Sequence, residues 1–279
     1  MPPFKSSVLS IVLLLMAPPA GAQVPVLPEQ GWSREQKTWA LNLAIVGGAT
    51  AYGVAVWDWG ESSFGTQSEG WFGRDTEHGG ADKLGHAYTG TAATALSAAL
   101  YRRWGYDDAE AARLGALSGL LLTTTVELGD GFSPEHGFSW EDQVVNLAGV
   151  GLEYLRQRHP AWRERVQFRW EYWPSPAVRR GRHHDIFTDY SGSRWLLAFP
   201  LHAWGAQGNA LRWIELQAGY GSRGFAERDR DFFDRPGRHP FIGVGLHLPL
   251  ALGLLGAGPA TRRWFEYIQV PGTALPLPP

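Results

Sequence analysis

Apolar and polar positions divide the chain into two stretches with different periods. Residues 39–57 (WALNLAIVGGATAYGVAVW) carry no charge and are long enough for a helix to cross a bilayer, which takes about 20 residues. Gly47, Gly48 and Gly53 in this run weaken an isolated helix in water but suit helices that pack closely in lipid. After a Gly-rich acidic loop over 58–81, residues 84–101 form a second predicted helix, rich in Ala, Thr and Gly and ended by Arg102-Arg103. Asp107-Asp108 open a third, over about 111–127, which Gly129 and Gly131 break. Residues 142–155 make the fourth and shortest, followed by Arg156, Arg158, Arg163 and Arg165.

Beyond this point the period changes to two. Val166, Phe168, Trp170 and Tyr172 alternate with Gln167, Arg169 and Glu171, and Pro174 stops the run. The pattern returns at 195–203, at Ile214, Leu216, Ala218 and Tyr220, and at Ile242, Val244, Leu246, Leu248 and Leu250. The expected fold is α+β and membrane-associated: an N-terminal four-helix hydrophobic bundle over 39–158, then an antiparallel β-rich segment over 159–270. Residues 23–38 read as a lead-in and 271–279 as a loose Pro-rich tail. Four or so strands cannot close a barrel, whose smallest form has about 8, so an open sheet at a membrane surface or a multi-chain assembly is expected.

Composition narrows the setting. The chain has no Cys, which excludes a disulfide framework, thiolate ligands and a Cys nucleophile. A net charge of -2 gives no sign of a nucleic-acid partner. The 14 Trp and 35 Gly together suit an envelope protein in contact with membrane lipids, Trp favouring the water–lipid boundary. Lys5, an apolar core over 8–17 and Ala20-Gly21-Ala22 read as a cleaved signal peptide over 1–22; the rival is an uncleaved anchor. A bacterial cell-envelope location follows, with inner versus outer membrane left open. The arginines after the second and fourth helices place the opposite, acidic end of an inner-membrane bundle in the periplasm. A cleaved signal leaves residue 23 in the periplasm, however, whereas that topology needs Arg34 and Lys37 inside.

Candidate chemistry gathers at one end of the predicted bundle. Helices joined by short loops alternate in direction, so the start of the second, the end of the third and the start of the fourth share a level. Asp82 and His86, Glu127 and Asp130, and Asp142 and Asn146 occupy those positions. Asp82 and His86 lie at i, i+4, on one helix face; Asp142 and Asn146 repeat the spacing, with Gly90 and Gly149 following for close approach. All six are candidate catalytic residues. Asp82, His86, Glu127 and Asp142 could hold a divalent cation such as Mg²⁺, Mn²⁺ or Zn²⁺; alternatively, His86 works as acid or base tuned by its carboxylates. Blander roles compete at each position: Asp82 as an N-cap, Ser139 and Asp142 as a capping box, Glu127 and Asp130 as solvated turn acids, Asn146 as a helix–helix hydrogen bond. His183-His184-Asp185 follows a run of arginines and reads as a solvated loop. The chain contains neither Gly-x-Ser-x-Gly nor His-Glu-x-x-His.

The series Asp82-Lys83-x-x-His86, Glu127-x-x-Asp130-Gly131-Phe132-Ser133 and Gly137-Phe138-Ser139-x-x-Asp142-x-x-x-Asn146-x-x-Gly149 resembles the predicted periplasmic lipoproteins typified by YfiM. More distantly, its order is similar to VanZ-like membrane proteins, some linked to glycopeptide-antibiotic resistance. The resemblance covers roughly residues 80–152 and implies no established reaction; without a Cys, the lipoprotein label does not carry over. The expected function is an envelope membrane protein whose boundary-level site binds or processes an envelope lipid or glycan precursor. The alternative is a non-catalytic structural envelope protein whose polar cluster is helix–helix glue.

Overall fold

The computed structural model describes residues 31–73, 76, 78–206, 208 and 210–277. The signal peptide expected over 1–22 lies outside them. Four long helices come first: α1 (Arg34–Val56), α2 (Ala81–Arg103), α3 (Asp108–Asp130) and α4 (Trp140–Arg158). Three of them start where a side chain satisfies free N–H groups of the first turn. Ser33 and Gln36 form a reciprocal capping box on α1, Asp107 accepts from the Glu110 N–H on α3, and Ser139 accepts from the Asp142 N–H on α4. The cap of α2 is Gly80, at φ 87, a left-handed conformation that glycine adopts without strain. Asp82 therefore sits inside the first turn, and the competing N-cap role falls to Gly80.

Close approach between the helices depends on glycine. A Cβ on Gly149 would collide with the Ala87 carbonyl, and one on Gly90 would lie 2.9 Å from the Asn146 carbonyl oxygen. The Thr91 hydroxyl crosses the same contact to the Gly149 carbonyl at 3.1 Å. The interior between α2, α3 and α4 is built of small and polar side chains, including Thr91, Thr94, Ser97, Ser118 and Thr123. The large apolar side chains Leu96, Leu117, Leu128, Leu147 and Leu155 are exposed instead. Among the described residues, α1 is the helix long and apolar enough to cross a membrane.

The second half is a six-stranded sheet: β1 (Gln167–Tyr172), β2 (Ser193–Pro200), β3 (Ile214–Arg223), β4 (Gly237–Leu246), β5 (Ile268–Gln269) and β6 (Ala274–Pro276), in the order β5-β1-β2-β3-β4-β6. All neighbours run antiparallel except β1 and β5. A flat sheet of this size measures about 24 Å from edge to edge, at some 4.8 Å per strand. Only residues 270–273 separate the two edge strands, a link that spans no more than about 18 Å when fully extended. The sheet must therefore curl. Two expectations change here. The run through Leu248 and Leu250 leaves the sheet for a short helix, Leu248–Leu254, because Pro249 has no N–H to pair in a ladder and suits a first helical turn. The Pro-rich end, expected to be loose, carries β6, which pairs with β4 through Gly243, Val244 and Gly245.

Tyr88 of α2 packs on Phe168 and Trp170 of β1, and a cluster with Ile186 and Trp195 joins the helical layer to the sheet. Asp185, read from sequence as part of a solvated loop, is buried and accepts hydrogen bonds from Tyr52 and Trp57 at 3.0 Å each. It ties the end of α1 to the loop before β2.

Gly149→Ala should lower stability by about 1–3 kcal/mol, the usual cost of overpacking. Gly151→Ala, two residues on with open space around it, should be neutral or gain up to about 1 kcal/mol from helix propensity. Denaturant unfolding of the two variants beside the parent protein checks both.

Candidate functional site

The loops at one end of the helices are joined to each other. After α1 the chain runs beside the connection from α3 to α4: Gly65 and Gln67 exchange backbone hydrogen bonds with Gly131 and Phe138, and Thr66 bridges Phe138. This sets residues 65–69 against the start of α4 and carries Glu69 to the start of α2.

Lys83 stands at the centre. Its side chain is 1% exposed, and its ammonium lies 2.7 Å from Asp82 Oδ2, 2.8 Å from Asp142 Oδ1 and 3.0 Å from Glu69 Oε2. Each buried ion costs several kcal/mol of lost hydration, so three carboxylates in one place need a cation among them. Burial works against the charged lysine, but Asp82, Asp142 and Glu69 outweigh it and raise its pKa. Glu69 carries the strain of this arrangement: burial, with the Asp142 charge adding to it, pushes its carboxyl up to about 8.

One turn deeper, His86 Nδ1 is 3.0 Å from Glu127 Oε1, and its Nε2 is 3.9 Å from Asp142 Oδ1. Burial opposes charge on the ring, yet Asp142 and the Glu127 hydrogen bond prevail and push His86 up to about 10. The ring is therefore an imidazolium at neutral pH. Its side chain is 22% exposed, whereas those of Lys83, Asp142 and Glu127 are sealed. Asn146 donates to Glu127 Oε1 at 3.2 Å, while its own Oδ1 has no hydrogen-bond partner among the described residues. Burial would raise the pKa of Asp142; His86 and Lys83 together hold it below the ordinary carboxylate value. Its carboxylate turns to Lys83, so Ser139 caps the helix by accepting the Asp142 N–H.

Five of the six residues singled out from sequence thus meet in one cluster: Asp82, His86, Glu127, Asp142 and Asn146. Asp130 stands beside it, its Oδ1 accepting from Trp59 Nε1 at 2.8 Å. Burial, eased by that hydrogen bond, pushes its carboxyl up to about 6. The four expected metal ligands do not form one set. His86, Glu127 and Asp142 lie within 4.8 Å of one another, and Asp82 groups instead with Glu69 and Asp142. The second group already surrounds Lys83. The first combines one nitrogen and two carboxylates, donors that suit a borderline divalent cation, and a metal there must first displace the proton on His86.

Glu69, Lys83 and Tyr190 complete the site and were not singled out from sequence. Lys83 stood within the Asp82–His86 motif, and three acids without a matching cation were the signal that could have found it. Tyr190 lies on the sheet side of α2, 3.6 Å from a Cβ built on Gly85, with its ring 4.5 Å from that of His78. Burial, with Asp82 and Glu69 adding to it, raises its phenol well above the ordinary value. Trp71, Phe72 and Trp140, all exposed, ring the same end of the helices; Trp71 and Trp140 meet edge to face at 5.6 Å.

Residues 68–158, the stretch that holds every member of the cluster except Tyr190, match the model of a family described as predicted periplasmic lipoprotein (DUF2279). Over that stretch the chain is similar to a periplasmic family of unknown function, and a cell-envelope location follows from the likeness. No curated protein and no solved structure matches the chain.

Two outcomes test the electrostatics. Lys83→Met leaves buried carboxylates without their cation and should cost about 3–5 kcal/mol of stability in denaturant unfolding. In the absence of metal, the parent protein should also lose stability as pH rises from about 6.5 to about 10. Across that interval folded His86 keeps a proton that the unfolded chain releases near its ordinary 6.5. Glu69, up at about 8, acts in the same direction from 4.5 to 8. His86→Gln should abolish the part of the decline above pH 8.

Proposed function

We propose that this chain is an envelope membrane protein whose cluster of Glu69, Asp82, Lys83, His86, Glu127 and Asp142 binds or processes an envelope lipid or glycan precursor. The observation that carries this reading is the partly open imidazolium of His86, held by Glu127 and Asp142 above a sealed ion-pair network. Helix–helix contact alone is served here by Gly90, Gly149 and Thr91 and does not need six titratable groups. Such clusters are costly to bury, and perturbed groups of this kind concentrate at working sites.

In the proposed roles, His86 donates a hydrogen bond or a proton to a bound oxygen. Glu127 fixes the ring through Nδ1 and stabilises its charge. Lys83 holds Asp82 and Asp142 in place. The exposed aromatic residues Trp71, Phe72 and Trp140 offer flat apolar faces beside these polar groups. That combination suits a sugar or a headgroup at the water–lipid boundary. The match of residues 68–158 to a predicted periplasmic lipoprotein family, and a motif order that resembles YfiM-type and, more distantly, VanZ-like proteins, support an envelope role. A divalent cation held by His86, Glu127 and Asp142 is the second reading, favoured by their mutual distances; it would act as a Lewis acid or bind ligand oxygens.

Metal analysis and binding measurements on the purified protein test this. His86→Gln and Glu127→Gln should each weaken binding of envelope lipid or glycan precursors tenfold or more, on the scale of about 1.4 kcal/mol per decade, while the fold persists. Unchanged binding in both variants, with substoichiometric metal in the parent, would leave the cluster a structural device.

A further inference from the structure

The sheet has its polar side inward. On its inner face Arg169 makes two hydrogen bonds to Glu215, at 2.6 and 2.8 Å, and one to Gln269 at 2.8 Å. Gln167 adds another, Gln217 binds Glu215 at 2.7 Å, and His247 Nδ1 reaches the same carboxylate at 3.0 Å. Arg169, Glu215, Gln217 and Gln269 are all at most 1% exposed. Register places the alternate residues on the outer face, where α2 covers Phe168, Trp170 and Trp195. The outer face of β3, β4 and β6 stays open: Leu216 is 46% exposed, Leu246 44%, Leu275 60% and Ile242 68%.

We infer that this outer face of β3, β4 and β6 lies in the acyl region of one leaflet of a lipid bilayer. Three observations on the sheet point to lipid and not to a protein partner. First, the polarity is inverted over much of the sheet: beside a small apolar cluster of Leu196, Ala198, Phe241 and Ala274, the inner face buries charge and amide, while aliphatic side chains form the open outside. A sheet surrounded by lipid has this arrangement, and one surrounded by water has the reverse. Second, the exposed side chains of the strip, Leu216, Ile242, Leu246 and Leu275, are all aliphatic, unlike the aromatic and Arg anchors that dominate protein interfaces. Third, its ends are marked as membrane boundaries are. Trp204, with Arg165 over its ring, and Trp213, with Arg212 over its ring, lie at one end; at the other, Arg238 stands opposite Ser222 in register and binds the Gly73 and Gly79 carbonyls. Arg and Trp prefer such boundaries.

Length selects one leaflet over a full span. The outward positions from Ile214 to Tyr220 cover seven residues, about 20 Å along the strand at 3.3 Å each. Tilted by about 45°, as strands in membranes are, this gives a depth near 15 Å, half of the roughly 30 Å hydrocarbon core. The inference deepens the envelope-membrane part of the proposed function and makes no use of the His86 site.

The test uses the absence of Cys from the chain, which makes any introduced thiol unique. Full-length Ile242→Cys, Leu275→Cys and, as a solvent control, Glu227→Cys are labelled with an environment-sensitive fluorophore. They are then reconstituted into phosphatidylethanolamine and phosphatidylglycerol vesicles carrying spin-labelled acyl chains. The labels at 242 and 275 should lose most of their fluorescence to the acyl-chain quencher and little to aqueous iodide; the label at 227 should do the opposite. Iodide quenching at all three positions would overturn the inference. So would label–label self-quenching at 242 and 275 without acyl-chain quenching, which would assign the face to a second copy of the chain. Either result leaves precursor binding by His86 untouched, so the two proposals fail separately.

Discussion

A single buried ammonium holds the candidate site together. Lys83 reaches Glu69 from the loop after α1, Asp82 from its own helix and Asp142 from α4. Acids this close repel one another strongly where water is excluded, and the Lys83 charge offsets that repulsion. With it, two helices and a loop are fixed at one level, and Asp142 keeps its charge for His86. The position of the imidazolium thus depends on a residue that never reaches the surface.

Glycine and threonine make that level reachable. Helices lined with Leu would stand too far apart for Asn146 to reach Glu127 or for His86 to lie between Glu127 and Asp142. Small residues at Gly90, Thr91 and Gly149 bring α2 and α4 into backbone contact. The displaced apolar bulk faces outward on Leu96, Leu117, Leu147 and Leu155. The same exchange of polar for apolar recurs in the sheet, where Arg169 and Glu215 are buried and Ile242 is exposed. Both halves of the molecule share one rule of construction, with many polar groups gathered inside and aliphatic groups left at the surface.

Much of the helical half is legible in the sequence. Charge-free and small-residue runs bounded by acids and arginines mark the helices, and alternation of direction brings their polar ends together. That reasoning found His86, Glu127, Asp142 and Asn146 because it needs only helix order and i, i+4 spacing. It missed Glu69, since a loop acid has no periodicity to place it, and it passed over Lys83, since one residue of offset on a helix turns a side chain by 100° and spacing rules say nothing about how far a lysine bends back. It took Asp130 into the cluster, but Trp59 holds that carboxylate to one side. In the sheet, a period of two shows that the faces differ without saying which one is inward. Gln167, Arg169 and Glu171 stand in the sequence only as the polar half of an alternating run, and the structure buries them. Pro249 and the Pro-rich end were misjudged in opposite senses: one proline ends a strand, whereas Pro276 takes a place at the sheet edge, where an absent N–H costs no ladder bond.

The charge state of His86 tests this account most directly. Nitrogen-15 NMR of the histidine rings in the metal-free protein, with His86 assigned through His86→Gln, reads both ring nitrogens across a pH series. The account predicts that Nδ1 and Nε2 of His86 both remain protonated past pH 8, with a midpoint near 10. A midpoint near 6.5, the value of a free histidine, would mean that Glu127 and Asp142 do not hold the ring, and the site described here would not exist.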